Sequence, residues 1–218
     1  MSTDLWPLFG LRITTPRLAL RPLQDADFDE MCALIAGGIH PPDVMPFTFP
    51  WTELEPPELQ RQAMQYHWRQ RAEWKADNWT LDLGVWEGGR LVGQQGIMAK
   101  QFGTLREVMS GSWVGMPHQG HGIGKEMRAA VLHFAFETLG AGRARTEAFA
   151  DNGASLAVTR SLGYRPNGDE YQVRRDRPAH FLRFVLERAE WVERRRDDVR
   201  VEGFEPCRTM FGLPDDTA

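Results

Sequence analysis

Three glycines at alternate positions, Gly120, Gly122 and Gly124, separate a strand-like run at 108–114 from a strongly periodic segment. In that segment Ile123, Met127, Ala130, Val131, Phe134, Ala135 and Thr138 recur at spacings of three and four, the signature of a helix with one buried face. A strand, a glycine-dense turn and a helix gather unpaired backbone N–H groups around one small space. The positive end of the helix dipole points into the same space. The chemistry this permits is the holding of an anion, with a phosphate or pyrophosphate as the natural occupant.

Two familiar phosphate loops do not match. A Walker A loop requires Gly, four residues, then Gly-Lys-Ser/Thr. Gly124-Lys125 supplies part of the end, but Gln119 stands where the first glycine belongs, and Glu126 replaces the magnesium-binding hydroxyl. A dinucleotide fingerprint G-x-G-x-x-G fails because Lys125 or Met127 falls at the third glycine position.

A third pattern fits. Gln119-Gly120-His121-Gly122-Ile123-Gly124 matches Gln/Arg-x-x-Gly-x-Gly/Ala, and the chain resembles the GCN5-related N-acetyltransferase superfamily along nearly its whole length. The branch it resembles most contains the bacterial ribosomal-protein N-terminal acetyltransferases. Residues 15–23 (Thr-Pro-Arg-Leu-Ala-Leu-Arg-Pro-Leu) resemble that branch's first strand, and Gly111-Ser112-Trp113-Val114 its fourth. Asp151-Asn152-Gly153-Ala154-Ser155, followed by Leu162-Gly163-Tyr164, resembles its second block.

The resemblance implies an α+β fold: one domain with a mixed, mostly antiparallel sheet splayed between its fourth and fifth strands and flanked by helices. It implies acyl-CoA as co-substrate and no metal. Gln119, Gly120, His121, Gly122, Ile123 and Gly124 would hold the pyrophosphate, with Lys125 or Arg128 adding a cation. Val114 and Met116 would pair with the pantetheine arm, Val114 N–H would serve as oxyanion donor, and Asn152 would orient the arm. Ser155 would protonate the leaving thiolate. Read from the residues alone, Asn152 is equally a helix N-cap and Ser155 a hydroxyl bonded to its own helix. The general base is ambiguous. Glu107 lies two residues earlier than the superfamily's strand glutamate. Counting on from Tyr164 to the branch's glutamate reaches Arg174, with Glu170 and Asp176 flanking it. Glu107 and Glu170 are the two candidates, and surface charge is the ordinary reading of both. His118 and His121 read as loop side chains, His40 and His67 as residues that could reach a cleft, and Tyr164 as core.

The remaining elements must position these groups. Residues 1–10 read as an arm, 11–200 as the catalytic domain and 201–218 as a tail with a frayed end. An extended segment over 11–23 bends at Pro16, and Phe28, Met31, Cys32 and Ile35 mark a helix. Residues 40–57 hold six prolines interleaved with Met45, Phe47, Phe49 and Trp51: a rigid connector, a wall of a substrate cleft, or both. A helix over 58–76 precedes a three-stranded meander that feeds the glycine turn. A strand at 143–150 and a short helix at 154–162 follow, then two last strands and a charged surface helix over 187–200.

With 218 residues, 42% hydrophobic and 26% charged, the chain can bury a sizeable core. A net charge of −4 gives no reason to expect a nucleic acid. No apolar run approaches the ~20 residues of a membrane span. Two cysteines, Cys32 and Cys207, form neither a disulfide framework nor a metal-ligand spacing, in keeping with a reducing cytoplasm. Arginine in place of lysine suggests a GC-rich bacterial genome. The expectation is a bacterial, cytoplasmic acyl-CoA-dependent N-acyltransferase that delivers acetyl, or a longer group such as succinyl, to a primary amine. The amine would belong to a small molecule, a protein N-terminus or a lysine, and a homo-oligomer is compatible with the reading. The alternative is a non-catalytic acyl-CoA-binding regulatory module.

Overall fold

A computed structural model describes residues 4–215. In chain order the strands are β1 (Arg12–Thr14), β2 (Leu18–Pro22), β3 (Asn78–Glu87), β4 (Arg90–Lys100), β5 (Glu107–Val114), β6 (Arg143–Phe149), β7 (Arg165–Arg174), β8 (Arg177–Glu187) and β9 (Arg200–Glu202). The α-helices are α1 (Phe28–Ala36), α2 (Glu58–Ala72), α3 (Phe102–Leu105), α4 (Ile123–His133), α5 (Gly153–Ser161) and α6 (Arg188–Trp191). The nine strands form one sheet in the order β7-β8-β6-β5-β4-β3-β2-β1-β9. Every neighbouring pair is antiparallel except β5–β6. The α+β reading and the antiparallel meander hold, and α4 lies on the connection between the parallel strands β5 and β6.

Alternation along the strands divides the core in two. Trp79, Leu81, Leu83 and Val85 of β3 and Val108 of β5 face one side, where they meet Ile123, Met127, Ala130, Val131 and Phe134. The other side carries Trp86 and Leu91, which meet Phe28, Met31 and Ile35 of α1 and Leu59 and Ala63 of α2. Helix α4 runs on as a π-helical turn, Phe134–Thr138, closed by Leu139 N–H donating to Phe134 O.

Three local expectations change. The segment over 11–23 is a hairpin, with Ile13 opposite Leu20, and Thr15-Pro16-Arg17 makes the reversal. The charged run at 187–200 is helical only over Arg188–Trp191, where Glu187 and Glu190 form a capping box. Trp191 is fully buried and stacks on Phe136, with ring centroids 5.7 Å apart. The chain must then turn back to bring Val199 and Val201 to the core, so a solvated helix cannot continue. The segment from 201 on is no loose tail. Strand β9 pairs with β1, and Phe204, Cys207 and Phe211 are buried. Phe211 meets Trp79 at 4.9 Å, Trp74 at 5.5 Å and Phe134 at 5.8 Å, and Trp74 Nε1 donates to Met210 O. The frayed end and the first residues of the arm lie outside the described residues.

The tail therefore closes the core. Phe211→Ala should destabilise the protein by about 3–5 kcal/mol, the usual cost of emptying a buried aromatic site. Urea unfolding of the two proteins checks this, and a change below ~1 kcal/mol would mean the tail is dispensable.

Candidate functional site

The parallel pair β5–β6 is in register from Glu107 opposite Arg143 to Ser110 opposite Thr146, and there it stops. Both strands continue with their outer partners. Strand β5 stays on β4 as far as Val114 opposite Gly93, and β6 stays on β8 as far as Phe149 opposite Phe181. The middle of the sheet therefore opens into a V with its apex at Ser110 and Thr146. Gly115 N–H donates to Val92 O on the β4 side, so by alternation the backbone groups of Val114 and Ser112 face the opening. Ser110 fits that alternation, since its carbonyl accepts from Thr146 Oγ1 across the apex.

The glycine turn closes one mouth of the V. Gly120 and Gly122 have φ of 79° and 80°, in the left-handed region that only glycine adopts without strain. Gly122 is the N-cap of α4, and the first bond into the helix runs from Glu126 N–H to Gly122 O. The N–H groups of Ile123, Gly124 and Lys125 therefore precede the helical ladder and are left for an anion. Gly124 has φ in the ordinary range. A Cβ there would make only an ordinary contact, 3.9 Å from Val158, so the fold itself does not demand glycine. Lys125 is exposed beside these amides, whereas Ile123 is buried and contributes its backbone alone.

Two of the expected cradle residues are already engaged. Met116 N–H donates to Gly38 O, and Met116 O accepts from Gln119 N–H. Met116 is a hinge to the end of α1, not a free strand edge. The Gln119 side chain donates to Ile39 O at 2.6 Å and to Val114 O at 2.7 Å. Gln119 thus fixes the turn and uses up the Val114 carbonyl, leaving Val114 N–H as the free polar group of that residue.

The turn is anchored from below by the β1–β2 reversal. Glu126, 8% exposed, accepts from Thr15 Oγ1 at 2.6 Å and from Arg17 Nε at 2.8 Å. The other Arg17 nitrogens reach His121 O at 3.3 Å. The acid that ruled out a Walker loop is therefore the post that ties the turn to the first hairpin. Burial pushes the Glu126 carboxyl up. The bonds from Thr15 and Arg17 and the charges of Arg17 and Arg196 outweigh it, and the net effect is a carboxyl below its ordinary value.

The opposite wall is α5. Asn152 caps it, with Oδ1 accepting from Ser155 N–H at 3.1 Å. Among the described residues the Ser155 hydroxyl has no partner, unlike Ser161, which bonds back to Val158 O. Ser155 is thus available in a way that an ordinary helix serine is not.

The two predicted bases lie elsewhere. Glu107 opens β5 at the closed end of the parallel pair, seven residues before Val114, and pairs with Arg145 at 3.2 Å and Arg143 at 3.7 Å. Seven residues of strand span roughly 23 Å. Glu170 lies on β7, two strands out from β6, in an ion pair with Arg183 and accepting from Gln172 at 2.8 Å. Both carboxylates are spent on neighbouring side chains. Arg174 pairs with Asp151 at 2.9 Å and 2.5 Å and donates to Met45 O. Arg175, at the tip of the β7–β8 hairpin, binds Glu53, Pro42 O and Asp43 O. These two arginines sew the hairpin to the proline-rich loop. That loop carries an aromatic chain from His40 through Phe47 and Trp51 to Trp113 on β5. The loop is a rigid connector whose aromatic residues pack against Trp113 beside the V. His67 is buried under α2 beside Phe28 and does not reach the V. Tyr164 is core.

One group at the V, Glu147, went unnoticed in the sequence, and a second, Arg128, expected as a cation for the pyrophosphate, is instead buried against Ser112 and Thr159. Glu147 is the first β6 residue beyond the apex, on the face shared with Trp113 and opposite Gly111, whose missing side chain leaves open space. Arg128 sits on the second turn of α4. Nothing in local spacing marks either placement, because their significance comes from where β5 and β6 part.

Residues 17–165, more than half the chain, match the family described as the acetyltransferase (GNAT) domain. Among solved structures, RimJ of Mycobacterium smegmatis in complex with CoA-disulfide aligns at TM-score 0.68 and 20% identity, covering 84% of this chain and 90% of that one. RimL, a ribosomal L7/L12 alpha-N-protein acetyltransferase in complex with coenzyme A, aligns at 0.62 and 14%, covering 79% and 95%. Mutant forms of the spermidine/spermine N-acetyltransferase SpeG from Vibrio cholerae align at 0.61 and 14%, covering 82% and 98%. At such identities these likenesses speak for the fold. No described helix is long and apolar enough to cross a membrane.

Because Glu126 titrates lower in the folded protein than in the unfolded chain, its contribution to stability is complete above pH ~4.5 and disappears as pH falls through its folded value. Glu126→Gln should cost about 1–3 kcal/mol at pH 7, and wild type and variant should converge as pH falls through the lowered folded value of Glu126. Urea titrations at several pH values check this. A constant difference down to pH 3 would show that the charge contributes nothing.

Proposed function

The chain belongs to the GNAT acetyltransferase family and is an acyltransferase, and from that premise we propose that it moves an acyl group from coenzyme A to a primary amine by direct attack, with both substrates bound together. The observation that carries this reading is the V between β5 and β6 with the glycine turn at its mouth. A pantetheine arm is extended and carries amide groups, so it can pair with the exposed strand edge at Val114 as an added strand would. A pyrophosphate suits the amides of Gly120 through Lys125, the positive end of α4 and the Lys125 ammonium. A Cβ at Gly124 would intrude on such a ligand while touching nothing else harmful.

The reaction needs few groups. The amine nitrogen attacks the thioester carbonyl carbon, a C–N bond forms, the C–S bond breaks, and the amine proton ends on the departing sulfur. Val114 N–H is suited to the developing oxyanion and the Ser155 hydroxyl to protonation of sulfur. Glu147, the first β6 residue beyond the apex and on the aromatic face, is better situated as a base than Glu107 or Glu170 because it lies at the opening, although it too has an ion pair, with Arg145 at 3.4 Å. The acceptor would enter along the aromatic face that Trp113 and the proline-rich loop form together. RimL and SpeG act on a ribosomal protein's α-amine and on polyamines, and this chain's acceptor belongs to the same broad class of primary amines. An α-amine, with pKa near ~8, loses its proton more readily than lysine near ~10.4. Acetyl is the default donor group, with succinyl and other longer groups as alternatives, and the cytoplasm is the compartment.

A second reading, an acyl-CoA-binding module without turnover, has one observation in its favour. The position reached by counting to the branch's glutamate holds Arg174, which is committed to Asp151. Thiol release from acetyl- and succinyl-CoA across α-amine, lysine and polyamine acceptors separates the two readings. Turnover is expected with one donor class. Ser155→Ala and Glu147→Gln should each lower kcat by ~10²-fold or more. Gly124→Val should leave urea stability within about 1 kcal/mol but weaken CoA binding by ~100-fold, on the order of 3 kcal/mol. CoA binding without thiol release on any acceptor would favour the second reading, and normal affinity in Gly124→Val would refute the site.

A further inference from the structure

The reaction as written leaves one buried group without a task. Arg128 is 4% exposed. Its Nη1 donates to Thr159 Oγ1 at 3.0 Å and its Nη2 to Ser112 Oγ at 3.2 Å, while its buried Nε has no acceptor. The polar groups that face it are hydroxyls: Ser112 from β5, Thr159 from α5 and Tyr164, whose own hydroxyl lies by Ser110. Among the described residues no carboxylate stands within ion-pair reach of it, whereas Arg17, Arg21, Arg71, Arg174, Arg175 and Arg183 all have one. Burial pushes the guanidinium down from its ordinary value, but arginine does not surrender its proton within a protein's working range. A full positive charge is therefore held dry with no counter-charge, an arrangement that single domains ordinarily avoid.

Its location gives that charge a purpose. Ser112 is the β5 residue whose backbone groups face the V, two positions beyond the apex. Thr159 is four residues after Ser155 on α5, on the same helical face and one turn deeper. The guanidinium thus bridges the two walls beneath the apex, within a turn of the hydroxyl assigned to the leaving sulfur.

We propose that Arg128 is the buried counter-charge for the leaving group: it stabilises negative charge on the coenzyme A sulfur as the C–S bond breaks. This rests on the acyl-CoA reading above. As the amine nitrogen bonds to the carbonyl carbon, the C–S electron pair departs on sulfur. Sulfur remains anionic until Ser155 delivers a proton, which the amine replaces through the base. A fixed cation in a low-dielectric site favours that state without any reorganisation. The same interaction must also acidify the thiol of coenzyme A when it is bound. Of the charged and titratable groups facing the apex, Tyr164 is held neutral by burial and Glu147 lies on the other face of β6, so Arg128 sets the sign.

The test compares wild type with Arg128→Met, Arg128→Lys and Thr159→Val. CoA affinity is measured by calorimetry and the bound thiol's pKa by thiolate absorbance. Turnover is measured with acetyl-CoA and with a dicarboxylic acyl-CoA. Arg128→Met should hold CoA within about threefold of wild type, raise the bound thiol's pKa by ~1 unit or more, and lower kcat ~10–100-fold with every donor the wild type uses. Arg128→Lys should recover part of both. If Arg128→Met does not fold, Thr159→Val, which keeps the charge but frees its anchor, should shift both quantities the same way by less. An unchanged thiol pKa and kcat in whichever folded variant carries the test overturns the proposal. So does a loss confined to the dicarboxylic donor, which would mean that the cation reads the acyl chain. Wild type that binds no CoA overturns the acyl-CoA reading and this inference with it. Binding without a variant-dependent thiol shift overturns this inference alone.

Discussion

The structure depends on a parallel pairing that stops early. Four residues of β5 and four of β6 share a ladder, and beyond Ser110 and Thr146 each strand stays with its outer neighbour instead. Buried backbone groups are almost always paired, so an open strand edge in the middle of a nine-stranded sheet is an expensive feature. The protein meets that demand in part with its own atoms: Gln119 occupies the Val114 carbonyl, and Gly38 occupies the Met116 amide. What stays open is a short run of donors and acceptors with the geometry of a missing strand. The other parts of the site follow from it, because α4 must begin at one mouth of the V and α5 must form its wall.

Holding the V open is a task shared by distant segments. The β1–β2 reversal grips the glycine turn through Glu126 and the His121 carbonyl, so the first hairpin fixes one mouth of the V from more than a hundred residues away. The β7–β8 hairpin does the same on the other side of the V through Arg174 and Arg175, which clamp the proline-rich loop. Charge is used structurally in both places. Among the described residues Arg128 differs from the other arginines at the site in having no acid of its own.

Much of this was legible in the sequence, and for identifiable reasons. The helix after the glycines is long and strongly periodic, and the left-handed glycines have no substitute, so the glycine turn and its helix could be read directly. The meander was readable because its strands alternate between two buried faces. The charged run at 187–200 misled because composition ignores a single tryptophan: Trp191 in the core outweighs the solvated residues around it. Strand β9 and the aromatic closure at Phe211 escaped because three residues and a 3-10 turn carry no period. The base is hard to read for a different reason. A glutamate's role depends on which arginine stands beside it, and Arg143, Arg145 and Arg183 come from strands that sequence spacing cannot bring next to Glu107 and Glu170. Glu147 and Arg128 matter only because of where two strands part, and no local pattern encodes that point.

The central claim is that the open edge of β5 and the first amides of α4 are donors to one bound coenzyme A. Amide hydrogen exchange, followed with and without saturating CoA, tests this most directly. The account predicts slowed exchange at Val114 and at Gly120 through Lys125. Met116, already bonded to Gly38, and Glu107, at the closed end of the strand, should exchange as before. Protection at Met116 or Glu107 with none across Gly120–Lys125 would contradict it.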